Sequence, residues 1–157
     1  MVLKSTLADP RLDYVALGHV HRMQVFEGPS RASGHRPTPA VYSGSLQRVD
    51  FGEEDQEKGF YVVDLDPAAP LGQRLRSYNF VPVHARAFVT IEVRAHSGNP
   101  TEDVLRAIGR REKDIAEAIV RVQVRLPAGQ EGLLDDAAVR RTLGTAHYIA
   151  GIAREVE

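Results

Sequence analysis

Phe88-Val89-Thr90-Ile91-Glu92-Val93-Arg94-Ala95 alternates without a break. In an extended chain Val89, Ile91, Val93 and Ala95 fall on one face and Thr90, Glu92 and Arg94 on the other. That is the pattern of a strand buried on one side. Downstream, Asn99-Pro100-Thr101-Glu102 reads as a helix start. Asn99 caps, Pro100 takes the first helical position, and Glu102 closes a capping box. Val104, Leu105, Ile108 and Ile115 then recur at helical spacing. Ile119 to Leu126 alternates again, with Val120, Val122, Val124 and Leu126 inward and Arg121, Gln123 and Arg125 outward. Asp135 or Asp136 starts a second helix through Val139 and Leu143, and His147 to Val156 forms a last strand. Strand, helix, strand, helix, strand makes a small α+β module with its own core. Its boundary is placed near residues 83–86, giving domains 1–84 and 85–157.

Working back toward the N-terminus, Leu75 to Val83 and Gly59 to Leu65 read as strands, and Val41 to Ser45 as a short one entering a Ser-Gly-Ser turn. These three suggest a meander at a sheet edge. Glu53-Glu54-Asp55-Gln56-Glu57 reads as a solvated acidic loop. Arg22 to Ala40, rich in Gly, Pro, Ser and Arg, reads as a loop containing a solvated His35. Leu12 to Leu17 is nearly all apolar, as in a strand covered on both faces. It runs into Gly18-His19-Val20-His21. In extended backbone His19 and His21 point the same way, and Gly18 permits a sharp turn or a close approach to a ligand. Two neutral imidazoles so placed make half of a metal site.

Composition narrows the classes. The chain has 157 residues, 43% apolar and 26% charged, and no cysteine, so disulfide and thiolate chemistry are excluded. No apolar run approaches the roughly 20 residues that span a bilayer, and the first nine residues do not form a secretory signal. A cytoplasmic protein that does not enter membranes is expected. Net charge is −1, with basic and acidic side chains balanced in both halves, so any nucleic-acid footprint is a local patch.

The order Gly18-His19-Val20-His21, an arginine-bearing loop, Tyr42-Ser43-Gly44-Ser45, Arg48-Val49-Asp50-Phe51-Gly52-Glu53 and Lys58-Gly59-Phe60 resembles the SbcD-type DNA nucleases. These are calcineurin-like metallophosphoesterases that act in double-strand-break repair and recombination. The resemblance covers nearly the whole chain. It implies the C-terminal strands of the phosphoesterase β-sandwich, followed by the capping domain that contacts DNA. It also implies a manganese-dependent exo/endonuclease with two divalent ions about 3.5–4 Å apart, His19 on one ion and His21 on the other. DNA is the implied substrate. An SbcC-type ATPase is the implied partner of the complete protein, which could form a homodimer. Arg22 and Arg48 flank the histidines in the implied fold and would contact backbone phosphate.

The family's upstream motifs, Asp-x-His, a Gly-Asp pair and Gly-Asn-His-Asp/Glu, do not occur. Asn79 and Asn99 are the only asparagines, and neither precedes a histidine. No bridging carboxylate and no catalytic histidine can be assigned. The chain is therefore expected to be the C-terminal part of such a nuclease, inactive by itself and binding metal weakly or not at all. The alternative is a non-catalytic DNA-binding or regulatory remnant of the same fold. A third reading is an unrelated α+β domain in which Gly-His-x-His is incidental. His84, His96 and His147 read as linker, strand-end and strand-entry residues.

Overall fold

The structure is a computed structural model and describes residues 9–29 and 36–157. His35 lies outside the described residues. The fold is α+β, and the chain divides into two compact units. One comprises residues 1–47 and 56–85, the other residues 48–55 and 86–157. The second unit therefore takes in an eight-residue piece from well before the boundary placed by sequence. Among the described residues no helix is long and apolar enough to cross a membrane.

The first unit holds two sheets. β1 (Val15–Leu17), β2 (Gln24–Glu27) and β3 (Pro39–Tyr42) form one, in the order β1-β3-β2. β3 runs parallel to β1, with Leu17 opposite Tyr42, and antiparallel to β2, with Val25 opposite Val41. The buried strand is β3, where Pro39, Ala40 and Val41 are enclosed. β1 is an edge strand of three residues with Ala16 exposed, so its apolar run does not report cover on both faces. β2 falls inside the stretch read as a loop. Gly28 and Pro29 punctuate its end, but Gln24 to Glu27 still pair because β3 offers a free edge. Buried Thr38 anchors the start of β3 by donating from Oγ1 to the Leu12 carbonyl at 3.0 Å.

β4 (Gly59–Leu65) and β5 (Leu75–Pro82) form a separate antiparallel hairpin, with Tyr61 opposite Phe80 and Val63 opposite Tyr78. The expected meander is absent because β3 pairs with β1 and β2 instead. One hairpin face carries a ladder of rings. Tyr61 lies 5.3 Å from Phe80 and 6.1 Å from Tyr78, and Tyr78 lies 6.1 Å from Tyr14. Such pairs add about 0.5–1.5 kcal/mol each beyond burial.

The second unit is a three-stranded parallel sheet, β6 (Phe88–Arg94), β7 (Ile119–Leu126) and β8 (Tyr148–Val156), in the order β6-β7-β8. α1 (Pro100–Arg110) and the short α2 (Glu112–Ile115) join the first two strands, and α3 (Asp136–Thr142) the last two. The alternating residues behave as their pattern dictates. Val89, Ile91, Val93, Val120, Val122, Val124 and Leu126 are buried with Val104 and Ile108 of α1, Ile115, Val139 of α3 and Leu143. Fully burying such side chains contributes about 1.5–3 kcal/mol each.

Helix starts follow the chemistry of the caps. Asn99 accepts from the Glu102 amide at 3.2 Å and Asp135 from the Ala138 amide at 3.0 Å. The capping box is not closed by Glu102. That carboxylate pairs with Arg106 at 3.0 Å, one turn on, and Ser97 Oγ accepts the Asn99 amide.

Asp103 supports the same corner. Its Oδ2 accepts from Ser97 Oγ at 2.8 Å and from the amides of Ser97 and His96. These bonds, the Ser97 hydroxyl first, hold its carboxyl below the usual carboxylate range. A depressed folded-state value means the stabilisation is present above the ordinary unfolded value and is lost as pH falls through the folded one. Asp103→Ala should therefore cost about 1–3 kcal/mol at neutral pH. Urea midpoints of the two proteins should converge below about pH 4.

Candidate metal and phosphate site

The Gly-His-x-His stretch follows directly on β1. Gly18 is exposed, and a Cβ added there would meet nothing within 4 Å. Neither a close approach nor a special backbone angle requires glycine at that point. The turn falls one residue later, where His19 has a φ of 76°. Left-handed backbone is uncommon for non-glycine residues, although histidine tolerates it better than most. His19 and His21 thus leave the strand through a kink and not along an extended chain, which removes the period-two argument for their shared direction. Both are exposed. Strained backbone of this kind persists where surrounding structure holds it, and it concentrates at functional sites.

Two residues on, the main chain of His21 is held by neighbouring segments. The His21 carbonyl accepts the Ser45 amide at 3.1 Å and Lys58 Nζ at 3.3 Å. Gly44, at φ 82°, lies so close that a Cβ would come 2.9 Å from the His21 oxygen and 3.1 Å from the Met23 nitrogen. Glycine is required on both counts: backbone angle and approach. The Tyr42-Ser43-Gly44-Ser45 turn is therefore the back wall of the histidine loop. Lys58 is 2% exposed and also donates to Ser45 Oγ and to Gln56 Oε1, each at 3.1 Å. The sequence marked Lys58 only as part of the Lys58-Gly59-Phe60 stretch of the resemblance and assigned it no role at the site.

Of the four residues singled out from the sequence, His19, His21 and Arg22 lie in the first unit and Arg48 in the second. Arg22 is exposed beside His21 in the same unit. Arg48 belongs to the other unit, and its guanidinium holds main-chain oxygens. Nε donates to the Glu53 and Glu54 carbonyls at 3.1 Å each, and Nη1 to the Arg86 carbonyl at 3.0 Å. In this position it ties segment 48–55 to the start of the second unit.

In the acidic stretch Asp55 and Glu57 are exposed as expected, but Glu53 and Glu54 are not part of a solvated loop. Asp50 caps the 3-10 turn Phe51–Glu53 through the Gly52 amide. Glu53 is buried and accepts the Val49 amide at 3.1 Å. Glu54 grips Thr90, taking its amide at 2.9 Å and its hydroxyl at 2.6 Å. Phe51 stands edge-on to Phe88 at 4.9 Å, with the Arg121 guanidinium 4.4 Å from its ring. The Thr90 carbonyl receives Arg111 Nη1 at 3.1 Å. Both main-chain groups of Thr90 are thus occupied, which blocks that part of β6 against further strand pairing.

Two divalent ions need several ligands and a bridging carboxylate. Among the described residues no group of three or more histidine, cysteine, aspartate or glutamate side chains could hold a metal ion. His19 and His21 offer two imidazoles, which do not by themselves make a two-metal centre. His84, His96 and His147 are exposed, each away from the Gly-His-x-His stretch in the sequence. No protein-family model matches the chain.

Proposed function

We propose that this chain is the C-terminal portion of a manganese-dependent DNA exo/endonuclease of the SbcD type, acting in the cytoplasm in DNA repair and recombination. The observation that supports this most is the left-handed His19 followed by His21, whose main chain is clamped from behind by the Ser-Gly-Ser turn. A solvated loop has no need of such a clamp, whereas a ligand loop does. In this reading His19 and His21 each give one nitrogen to a different ion, and the remaining ligands come from upstream residues. Exposed Arg22 takes backbone phosphate as a charged donor, and the second unit is the cap. Arg48 is left out of the phosphate contacts because main-chain oxygens occupy its Nε and Nη1. The complete protein would bind an SbcC-type ATPase and could pair with a second copy.

The test is release of nucleotides from a labelled duplex in manganese, with and without chelator. The 157-residue chain should show none, since two imidazoles provide neither the bridge nor the charge that holds two ions. A protein extended upstream by the Asp-x-His and Asn-His motifs should cleave, and His19→Ala or His21→Ala should each remove most of that turnover. Chelator-sensitive cleavage by the 157 residues alone refutes the fragment reading. Cleavage by the extended protein that ignores both histidines refutes the site. Salt-sensitive duplex binding without cleavage by either form would favour the non-catalytic remnant.

A further inference from the structure

Lys58 is the most deeply enclosed charged side chain among the described residues, at 2% exposure. Burying an ammonium costs several kcal/mol unless its donors are satisfied. Its amine is a fixed cluster of three donors. Among its partners in the described residues are the His21 carbonyl at 3.3 Å, Ser45 Oγ at 3.1 Å and Gln56 Oε1 at 3.1 Å, from separate stretches of chain. The lysine's own carbonyl accepts the Val83 amide at 2.8 Å, which fixes its backbone to the end of the hairpin. A methionine of similar length would fill this volume without the cost of a buried charge. What the ammonium adds is a cross-link between the hairpin, the Ser-Gly-Ser turn and the main chain of one histidine.

We infer that Lys58 is a positioning residue for His21: it fixes the His21 main chain, and through it the direction of the His21 imidazole, without touching metal or substrate. His19 receives no such support from Lys58, so the two histidines should respond differently to its loss. The part of this inference that concerns metal rests on the reading of His21 as a ligand; the part that concerns the main chain does not.

The experiment uses the 157-residue chain, isotope-labelled, as wild type, Lys58→Met and Ser45→Ala, with manganese as the probe. Two quantities are read by NMR. The first, in metal-free protein, is hydrogen exchange at the amide of residue 45, which donates to the His21 carbonyl. Lys58→Met should speed it about ten-fold or more, while amides of Ala40 and Val41 in β3 hold their rates. The second is broadening of the two imidazoles by manganese. Lys58→Met should raise the manganese needed to broaden His21 about ten-fold, in the range seen when groups orienting a ligand are removed, and leave His19 within about two-fold.

Unchanged exchange at residue 45, or equal losses at both histidines, overturns the inference. If Lys58→Met does not fold, Ser45→Ala removes one of the oxygens that the Lys58 amine reaches and should give the same one-sided effect at His21 more weakly. An equal effect on both rings again overturns it. If wild-type protein shows no broadening of either ring at millimolar manganese, the two imidazoles do not hold the ion without the upstream ligands. Exchange at residue 45 then still decides whether Lys58 holds the loop.

Discussion

Gly59→Ala should destabilise the first unit by about 3 kcal/mol, at the upper end of the range for forced overpacking. A methyl at this position would sit on the Val81 carbonyl oxygen and 2.5 Å from Phe80 Cζ. The carbonyl is part of the β4–β5 ladder, in which Gly59 faces Pro82 and Phe60 faces Val81. It cannot retreat without breaking register. The Phe80 ring cannot swing away freely, because it packs at a tilt against the Tyr61 ring. A loss of this size is a large share of the roughly 5–15 kcal/mol that folded domains possess. The chain has no tryptophan and five tyrosines, of which Tyr14, Tyr42, Tyr61 and Tyr78 lie in the first unit. Tyrosine fluorescence during urea unfolding thus reports that unit. The midpoint should fall sharply in Gly59→Ala, and a midpoint within error of wild type would show that the hairpin is looser than its register implies. The same substitution should disturb the histidine loop, because Gly59 follows Lys58 directly, whose carbonyl accepts the Val83 amide at the end of the hairpin.

The second large effect is expected in the other unit. Phe51→Ala combined with Glu54→Ala should cost about 3–5 kcal/mol. The sum includes charge-assisted hydrogen bonds from Thr90 to Glu54, each worth roughly 1.5–3 kcal/mol. It also includes an edge-to-face ring pair and a cation–π contact of roughly 0.5–1 kcal/mol or more. Removing Glu54 leaves the Thr90 amide at the edge of β6 without its carboxylate partner. Removing Phe51 uncovers Phe88 and the Arg121 stem. The two anchors share one short stretch, so either loss loosens the other, and the single substitutions should sum to more than the double. Hydrogen exchange at Ile91, Val120 and Val122 measures this unit's opening directly. Exchange unchanged in the double variant would mean that segment 48–55 contributes nothing to the unit.

The second unit was legible where period and cap agree. Val89 to Val93 and Val120 to Leu126 announced buried strand faces, and Asn99 and the pair Asp135-Asp136 announced helix starts, because local propensity and tertiary burial point the same way there. The first unit was less legible for identifiable reasons. Gln24 to Glu27 pair only because β3 lies beside them, and nothing in those four residues outweighs the Gly and Pro that follow. Glu53 and Glu54 have the composition of a solvated loop, and only a partner 36 residues on turns Glu54 into a clasp for Thr90. At the candidate site the motif itself was visible, but its geometry was not. The unusual backbone angle falls on His19 and not on Gly18, and Lys58 becomes significant only once strand β4 brings it back to Ser45 and His21.

The second unit's discontinuity bears on how the protein is made. Residues 48–55 leave the ribosome before residues 56–85, which belong to the other unit, and before any part of the sheet they will cover. Phe51 and Glu54 must therefore wait for Phe88 and Thr90 to be synthesised. A polypeptide begun at Arg86 would have the sheet and helices without their clasp. A protease nick just before Arg86 would leave both pieces joined through Arg48, Phe51 and Glu54. The border between the two units is thus one of contacts and not of sequence, and shuffling or excising the C-terminal module would have to move two separate stretches of coding sequence together.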